Sequence, residues 1–303
     1  MDLRKVIDTI DFSGDVRFDE PMGEHTSFKV GGPADVYLKP RCDDDVAAVM
    51  RVAEEVPVFL LGAGANILVS DRGIRGIVMD MSDLASCVID ETIVTAGAGA
   101  AVSELSMRAA ENSLSGIEFI YAMPGSVGGS VWMNARCYGR SISDVLGFAE
   151  IITETGELRR VSPTADEFSY KKSPFEEKRW AIVRAGFTLE KGDKEKILET
   201  MDGHRRDRER KGHFTAPSAG SVFKNNRDFG MPSGKLIDSL SLRGKTIGGA
   251  MISELHANII VNSGGATAGD IYRLMRVIEK SVRDAYGFKL EREVRLVGDW
   301  AEE

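Results

Sequence analysis

The chain has 303 residues, 43% of them apolar and 28% charged, with a formal net charge of −8. That length suggests two or three domains with enough apolar material for a core, and excludes a chain too polar to fold. The acidic balance excludes a general basic footprint for nucleic acid, so an anionic ligand needs a local cationic cluster.

The N-terminal Met1-Asp2-Leu3-Arg4-Lys5 mixes charges, and no run of about 18 apolar residues occurs. Neither a secretory leader nor a membrane span is expected, and a cytoplasmic location is. Three scattered cysteines (Cys42, Cys87, Cys137) fit reduced thiols. C-x-x-C and H-E-x-x-H are absent, so no metal centre is expected.

In chain order, Thr26-Ser27-Phe28-Lys29-Val30-Gly31-Gly32-Pro33 is a glycine-bearing loop, and Ala34–Leu38 alternates like a strand. Asp43 to Glu55 predicts a helix with an acidic start, ended by Val56-Pro57. The next loop is Gly62-Ala63-Gly64-Ala65-Asn66, between the apolar runs Val58–Leu61 and Ile67–Val69. Glycine permits positive φ and lets backbone N–H groups approach a phosphate unobstructed. A Rossmann fingerprint needs strand, loop and then helix. Here a β-branched run broken by turn residues follows, up to Met79, which argues against that site.

Strand signals dominate from Ile77 to about Leu189, at Ile93–Ala96, Glu150–Thr153 and Trp180–Arg184, with a helical stretch at Ser103–Asn112 and a hairpin turn at Thr155-Gly156-Glu157. Within them lies a second glycine loop, Pro124-Gly125-Ser126-Val127-Gly128-Gly129-Ser130. Either loop alone reads as a tight turn; together they point to a phosphate-bearing cofactor.

Lys191-Gly192-Asp193 opens a helix that becomes intensely charged. His204, Arg208 and Lys211 are spaced to line one helical face, a clamp for a diphosphate, although most such runs simply face water. In Ala219-Gly220-Ser221-Val222-Phe223-Lys224-Asn225, Ser221 follows a glycine and precedes an apolar strand on which Lys224 and Asn225 point opposite ways. Gly234–Leu240 predicts a short helix, Asn258–Val261 a strand, Ala268–Tyr286 a long amphipathic helix and Phe288–Val297 a final strand. On that strand Leu290, Val294 and Leu296 share one face, and Lys289, Glu291, Glu293 and Arg295 the other.

The boundaries fall near residues 80 and 192. The predicted fold is α+β, with 1–80 and 81–192 framing a ligand and an α/β unit, 193–303, closing over it; the last strand can return to the first part.

Taken in order, His25–Gly32, Leu61–Asn66, Pro124–Gly129, Met133-Asn134-Ala135-Arg136-Cys137-Tyr138-Gly139, Ala219–Asn225 and Leu290–Arg295 resemble the UDP-N-acetylenolpyruvoylglucosamine reductase family over nearly the whole chain. The compact length resembles the shorter (type II) of its two subtypes. The resemblance implies a two-subdomain FAD-binding unit of the vanillyl-alcohol-oxidase (PCMH) type plus a C-terminal α/β substrate domain. It implies NADPH-dependent reduction of UDP-N-acetylglucosamine enolpyruvate to UDP-N-acetylmuramate in peptidoglycan synthesis, with non-covalent FAD, by a monomer without nucleic-acid or membrane partners.

By the same resemblance Gly62, Ala63, Gly64, Ala65, Asn66, Ile67, Gly125, Ser126, Gly128 and Gly129 hold FAD. Ser221 matches the family's proton donor, and Glu291 the carboxyl that stabilises the enolic intermediate, protonated or hydrogen-bonding. Tyr138, Arg208, Lys211, Lys224 and Asn225 fall to the substrate. The chain departs from the family in three places. Lys171 stands for a catalytic arginine, exchanging a bidentate fork for a point charge. Gly212-His213 replaces the usual Gln-Pro after Lys211, and Leu255 replaces a lysine. These departures leave a catalytically weakened flavin- or UDP-sugar-binding paralogue as the alternative.

Overall fold

The computed structural model describes residues 2–300. The chain forms two compact units. One gathers the residues up to Phe18, 35–63 and 76–206; the other gathers 19–34, 64–75 and the chain from Asp207 onward.

The first unit holds two sheets. A four-stranded one runs in the order Asp15–Pro21, Pro33–Lys39, Ile74–Asp80, Val58–Leu61, the last pair parallel. The helix Asp43–Arg51 belongs to its core, where Val46, Val49 and Met50 meet Val36, Leu38, Ile77 and Met79. Three aspartates in that helix's first turn favour the positive end of its dipole.

A five-stranded antiparallel sheet follows, in the order Leu158–Val161, Leu146–Ile152, Ala181–Thr188, Ile93–Gly97, Cys87–Asp90. Its central strand Ala181–Thr188 is buried on both faces. Ala181 and Val183 join the first core, whereas Ala185 and Phe187 join a second with Leu105, Val127 and Val131. Ile182 joins the second core as well, which explains why Trp180–Val183 reads as an unbroken apolar run rather than an alternating one. Arg184 ties the sheet to the first helix, donating to Glu150 at 2.5 Å and to Asp43 at 2.5 and 3.1 Å.

The second unit is built on the helix Ala268–Tyr286, as the spacing predicts. Ile271, Leu274, Met275, Ile278 and Val282 bury its apolar stripe, with the antiparallel strands Ala250–Ile252 and Ile260–Asn262 in the same core. A capping box of Thr267 and Asp270 starts the helix and Gly287, at φ 72°, ends it. Asp71 adds a carboxylate at its N-terminus, accepting from Ala268 and Gly269 at 2.8 and 2.9 Å.

Three expected elements are redrawn. The final strand is Arg295–Val297, parallel to Ile67–Val69, and shorter than Phe288–Val297. Its missing part lies irregularly beside residues 222–224, through Lys224 N–H to Glu291 O and Glu293 N–H to Val222 O. The strand expected at Asn258 begins at Ile260, because the buried Asn258 side chain itself bonds Phe223 N–H and C=O at 3.0 and 2.8 Å. Residues 221–225 form only isolated bridges, so Lys224 and Asn225 do not alternate along a strand.

Candidate active site

The loop 62–66 joins two strands, Val58–Leu61 and Ile67–Val69, so no helix follows it. The second loop differs. It is the N-terminus of the helix Val127–Trp132, capped by Ser126, whose Oγ accepts from Gly129 N–H at 3.3 Å. The first unit brings the loops together: a Cβ on Gly62 would stand 2.3 Å from Ser126 Oγ. In the second unit Gly64 has φ 60°, and a Cβ there would lie 2.1 Å from His25 O. No side chain fits that position, and Gly64 O in turn accepts from Ser27 N–H at 3.1 Å.

The amides divide into two sets. Those of Val127 and Gly128 are spent on Ala100 and Ala98 carbonyls, at 2.9 and 2.8 Å. Among the described residues, the N–H groups of Ala63, Gly64, Ala65, Gly125 and Ser126 have no acceptor, and Ser27 Oγ is buried without a partner. With Gly129 N–H bonded to Ser126 Oγ, only Gly125 and Ser126 of residues 125–129 keep an unspent N–H. Gly128 serves shape instead, since a Cβ there would meet that of Ala98 at 2.8 Å. Asn66 closes the first loop onto the C-terminal segment, through Nδ2 to Glu293 O and from Arg295 N–H to its own carbonyl. Ile67 begins the parallel strand pair.

Also in the first unit, three non-glycine residues with positive φ cluster around one hairpin: Asn134 (45°), Tyr138 (49°) and Lys171 (58°). Such backbone costs about 1–3 kcal/mol per residue and persists only where the surroundings impose it. Buried Asn134 imposes it, donating to Ser169 O at 3.1 Å and accepting from Ser143 N–H at 3.0 Å. The Lys171 turn is thereby tied to the hairpin, and Lys171 Nζ points at Arg136 O, 3.5 Å away. Tyr138 stacks on His204 at 3.8 Å and donates to His204 O. Asn134 was not singled out as a site residue; it lies within a recognised motif, but its positive φ leaves no mark in sequence.

In the second unit Ser221 follows left-handed Gly220 (φ 69°) and is half-buried. Glu291 is exposed and accepts from Lys224 Nζ at 2.6 Å. Asn225 is turned to support, its Oδ1 accepting from Ser233 N–H at 2.9 Å at the start of the helix Ser233–Asp238.

The helix Lys194–Arg210 ends just before Lys211, which closes its last turn, its N–H donating to Asp207 O at 3.1 Å and its Nζ bonding the Asp207 carboxylate at 2.6 Å. His204 is committed to Tyr138 and to Glu118 O. Arg208 is only 8% exposed, lies over the Phe214 ring, and its Nε has no partner. His213 and His256 stand nearby, ring centroids 6.2 Å apart. Burial, then the charges of Arg208, His256 and Lys211, push His213 down to about 4; burial first, then Lys211 and Arg243, lowers His256. Elsewhere Glu20, Glu24 and His25 bring ligand atoms within 4.8 Å of one another, a grouping that linear metal motifs do not cover. No described helix is long and apolar enough to cross a membrane.

Comparison with known proteins places these features. Residues 212–297 match the C-terminal domain family of UDP-N-acetylenolpyruvoylglucosamine reductase, and residues 34–162 match an FAD binding domain family. The chain is 41% identical over 306 residues to the UDP-N-acetylenolpyruvoylglucosamine reductase of Treponema denticola, covering 95% of each. It is 41% identical over 300 residues to UDP-N-acetylenolpyruvoylglucosamine reductase 2 of Bacillus cereus, covering 98% of each. The crystal structure of the reductase (MurB) from Thermus caldophilus is similar with TM-score 0.78 and 31% identity, over 94% of this chain and 99% of that one. With likeness of this degree along its whole length, the chain belongs to the UDP-N-acetylenolpyruvoylglucosamine reductase family.

Proposed function

We propose that the chain is the NADPH-dependent, FAD-containing reductase that converts UDP-N-acetylglucosamine enolpyruvate to UDP-N-acetylmuramate in peptidoglycan precursor synthesis. The observation that carries this is the presence, in one chain, of an FAD-binding region and the reductase's own C-terminal domain.

The residues fit the cofactor. Ser27 Oγ and the amides of Ala63, Gly64, Ala65, Gly125 and Ser126 retain hydrogen-bonding capacity for a diphosphate. At Gly62 and Gly64 a Cβ would strike Ser126 Oγ and His25 O, so the backbone of these loops must stay bare. FAD bound non-covalently by Gly62, Ala63, Gly64, Ala65, Asn66, Ile67, Gly125, Ser126, Gly128 and Gly129 supplies the hydride carrier between NADPH and substrate.

Proton delivery and charge fall to the chain itself. Ser221 donates a proton from Oγ to the α-carbon of the enolpyruvyl group. A neutral hydroxyl is a weak acid, so this needs a strongly basic enolic intermediate held against it. Glu291, beside Lys224, stabilises that intermediate as a protonated or hydrogen-bonding carboxyl, and Lys171 sets a compact positive charge toward the substrate carboxylate. Tyr138, Arg208, Lys211, Lys224 and Asn225 bind the UDP-sugar, Arg208 and Lys211 taking its diphosphate. A three-part division near residues 80 and 192, a monomeric state, a cytoplasmic location and the lack of nucleic-acid or membrane partners belong to the same proposal.

Purified protein should be yellow, bleach with NADPH, and recolour anaerobically with UDP-N-acetylglucosamine enolpyruvate. Bleaching without recolouring sinks the proposal at its second step. Ser221→Ala should bleach at nearly the normal rate and recolour about 10²–10⁴-fold more slowly. Equal loss in both steps removes Ser221 as the proton donor.

A further inference from the structure

His213 has no place in the chemistry above. Its backbone N–H donates to Arg208 O at 3.1 Å, which folds the turn back onto the end of the helix. The ring is half-buried, and among the described residues neither of its nitrogens has a hydrogen-bond partner. Beside it the buried Arg208 also has an unpartnered Nε. A buried donor without an acceptor is costly to leave unmet. Arginine offers donors only, so the missing partner is an acceptor, and the surrounding charge makes it an anion.

The groups facing His213 are Arg208, Lys211 and Asp207 from the helix end and its own turn, and His256 across from it. Those facing His256 are Lys211, Arg243 and Asp238. The two histidines are not equivalent. His256 Nδ1 accepts from Asn258 N–H at 3.2 Å, so its proton sits on Nε2, on the side of Gly234. A second proton there would set N–H against N–H. His213 carries no such commitment. It is neutral at pH 7 in the free protein, and an opposite charge within hydrogen-bonding distance favours imidazolium.

We propose that His213 is a third cationic ligand of the diphosphate, protonated only in the complex, so that substrate binding takes up a proton. The inference rests on Arg208 and Lys211 being the diphosphate site. It is particular to a chain with Gly212-His213 where the family usually has Gln-Pro.

UDP-N-acetylglucosamine is the probe, because both its phosphates are diesters without a titrating proton near neutrality. Titration calorimetry of the flavin-loaded protein at pH 5.5, in buffers of different ionisation enthalpy, should show uptake of more than about half a proton per ligand. Affinity should tighten about tenfold from pH 7.5 to 5.5, one pH unit of linkage. In His213→Gln both effects should vanish. Binding without uptake, or equal uptake in His213→Gln, overturns the proposal and leaves Arg208 and Lys211 in place. Failure of the wild type to bind at either pH overturns the diphosphate site and the proposal together. Should the variant not fold, the His213 Cε1–H resonance of the wild type decides. Its midpoint should rise from about 4 by about two pH units or more with ligand; a midpoint that stays put overturns the proposal.

Discussion

The glycine loops at 62–66 and 125–129 and the cationic turn at 207–213 both serve anions in the proposed function, by opposite means. The loops work by what they lack. Missing Cβ atoms at Gly62 and Gly64 let Ser126 Oγ and His25 O approach closely, and backbone amides supply the donors. The turn works by what it carries: a buried guanidinium, an ammonium held by Asp207 and a neutral imidazole. A backbone site is fixed by sterics and is indifferent to pH. A side-chain site depends on burial and on neighbouring charges, so it titrates and varies from chain to chain.

The largest expected effect comes from adding one methyl group to the first kind of site. Gly64→Ala sets a Cβ 2.1 Å from His25 O, and a backbone atom cannot rotate away. The variant should purify colourless, with flavin affinity down by about a hundredfold or more and an unchanged circular dichroism spectrum. A yellow Gly64→Ala protein would break the comparison. Removing charge from the second kind of site should be selective. Arg208→Ala should weaken UDP-N-acetylglucosamine binding about tenfold to a hundredfold, the scale of one charge-assisted hydrogen bond, while flavin content stays full. Parallel loss of flavin would show the two regions to be one.

Gly62→Ala sharpens the steric half. Its Cβ meets Ser126 Oγ, the end of a side chain that can turn aside, at the cost of the cap to Gly129. Flavin affinity should fall about fivefold, roughly 1 kcal/mol of lost capping. Adding Ser126→Ala should cost less than the two single changes together.

The smallest effect is on stability. Both His213 and His256 have folded-state pKa values below the unfolded value, so the unfolded chain binds more protons over that interval. The contribution of His213 is complete above about pH 6.5 and declines as pH falls toward about 4, and that of His256 declines in the same direction. Thermal melting from pH 7.5 to 4.5 should show a shallower decline in His213→Gln, by about 2–3 °C at the acid end. Identical profiles would mean that His213 is not buried as a neutral base.

Local pattern made much of the fold legible. The helix Ala268–Tyr286 could be read to the residue, because its period of apolar positions, its Thr267 cap and its Gly287 stop agree. The hairpin at Gly156 and the strand-loop-strand setting of residues 58–69 were readable for the same reason. The segments 222–224 and 288–294 were misread because period-two alternation reports which side chains are buried and says nothing of regular pairing. Among the site residues, the glycine loops stood out in sequence because glycine's role is steric and local. Asn134, the spent amides of Val127 and Gly128, and the Lys224–Glu291 pair did not, since each depends on a partner 9 to 67 positions away.

By itself the sequence determined the order of motifs, the family they spell, and where the backbone must accept positive φ. Only the tertiary structure decided which donors remain unspent, which cation is buried without a partner, and which histidine is free to take a proton. The reason is that φ preference and apolar period are properties of neighbouring residues. Hydrogen-bond completion and charge are settled by whatever the fold brings alongside.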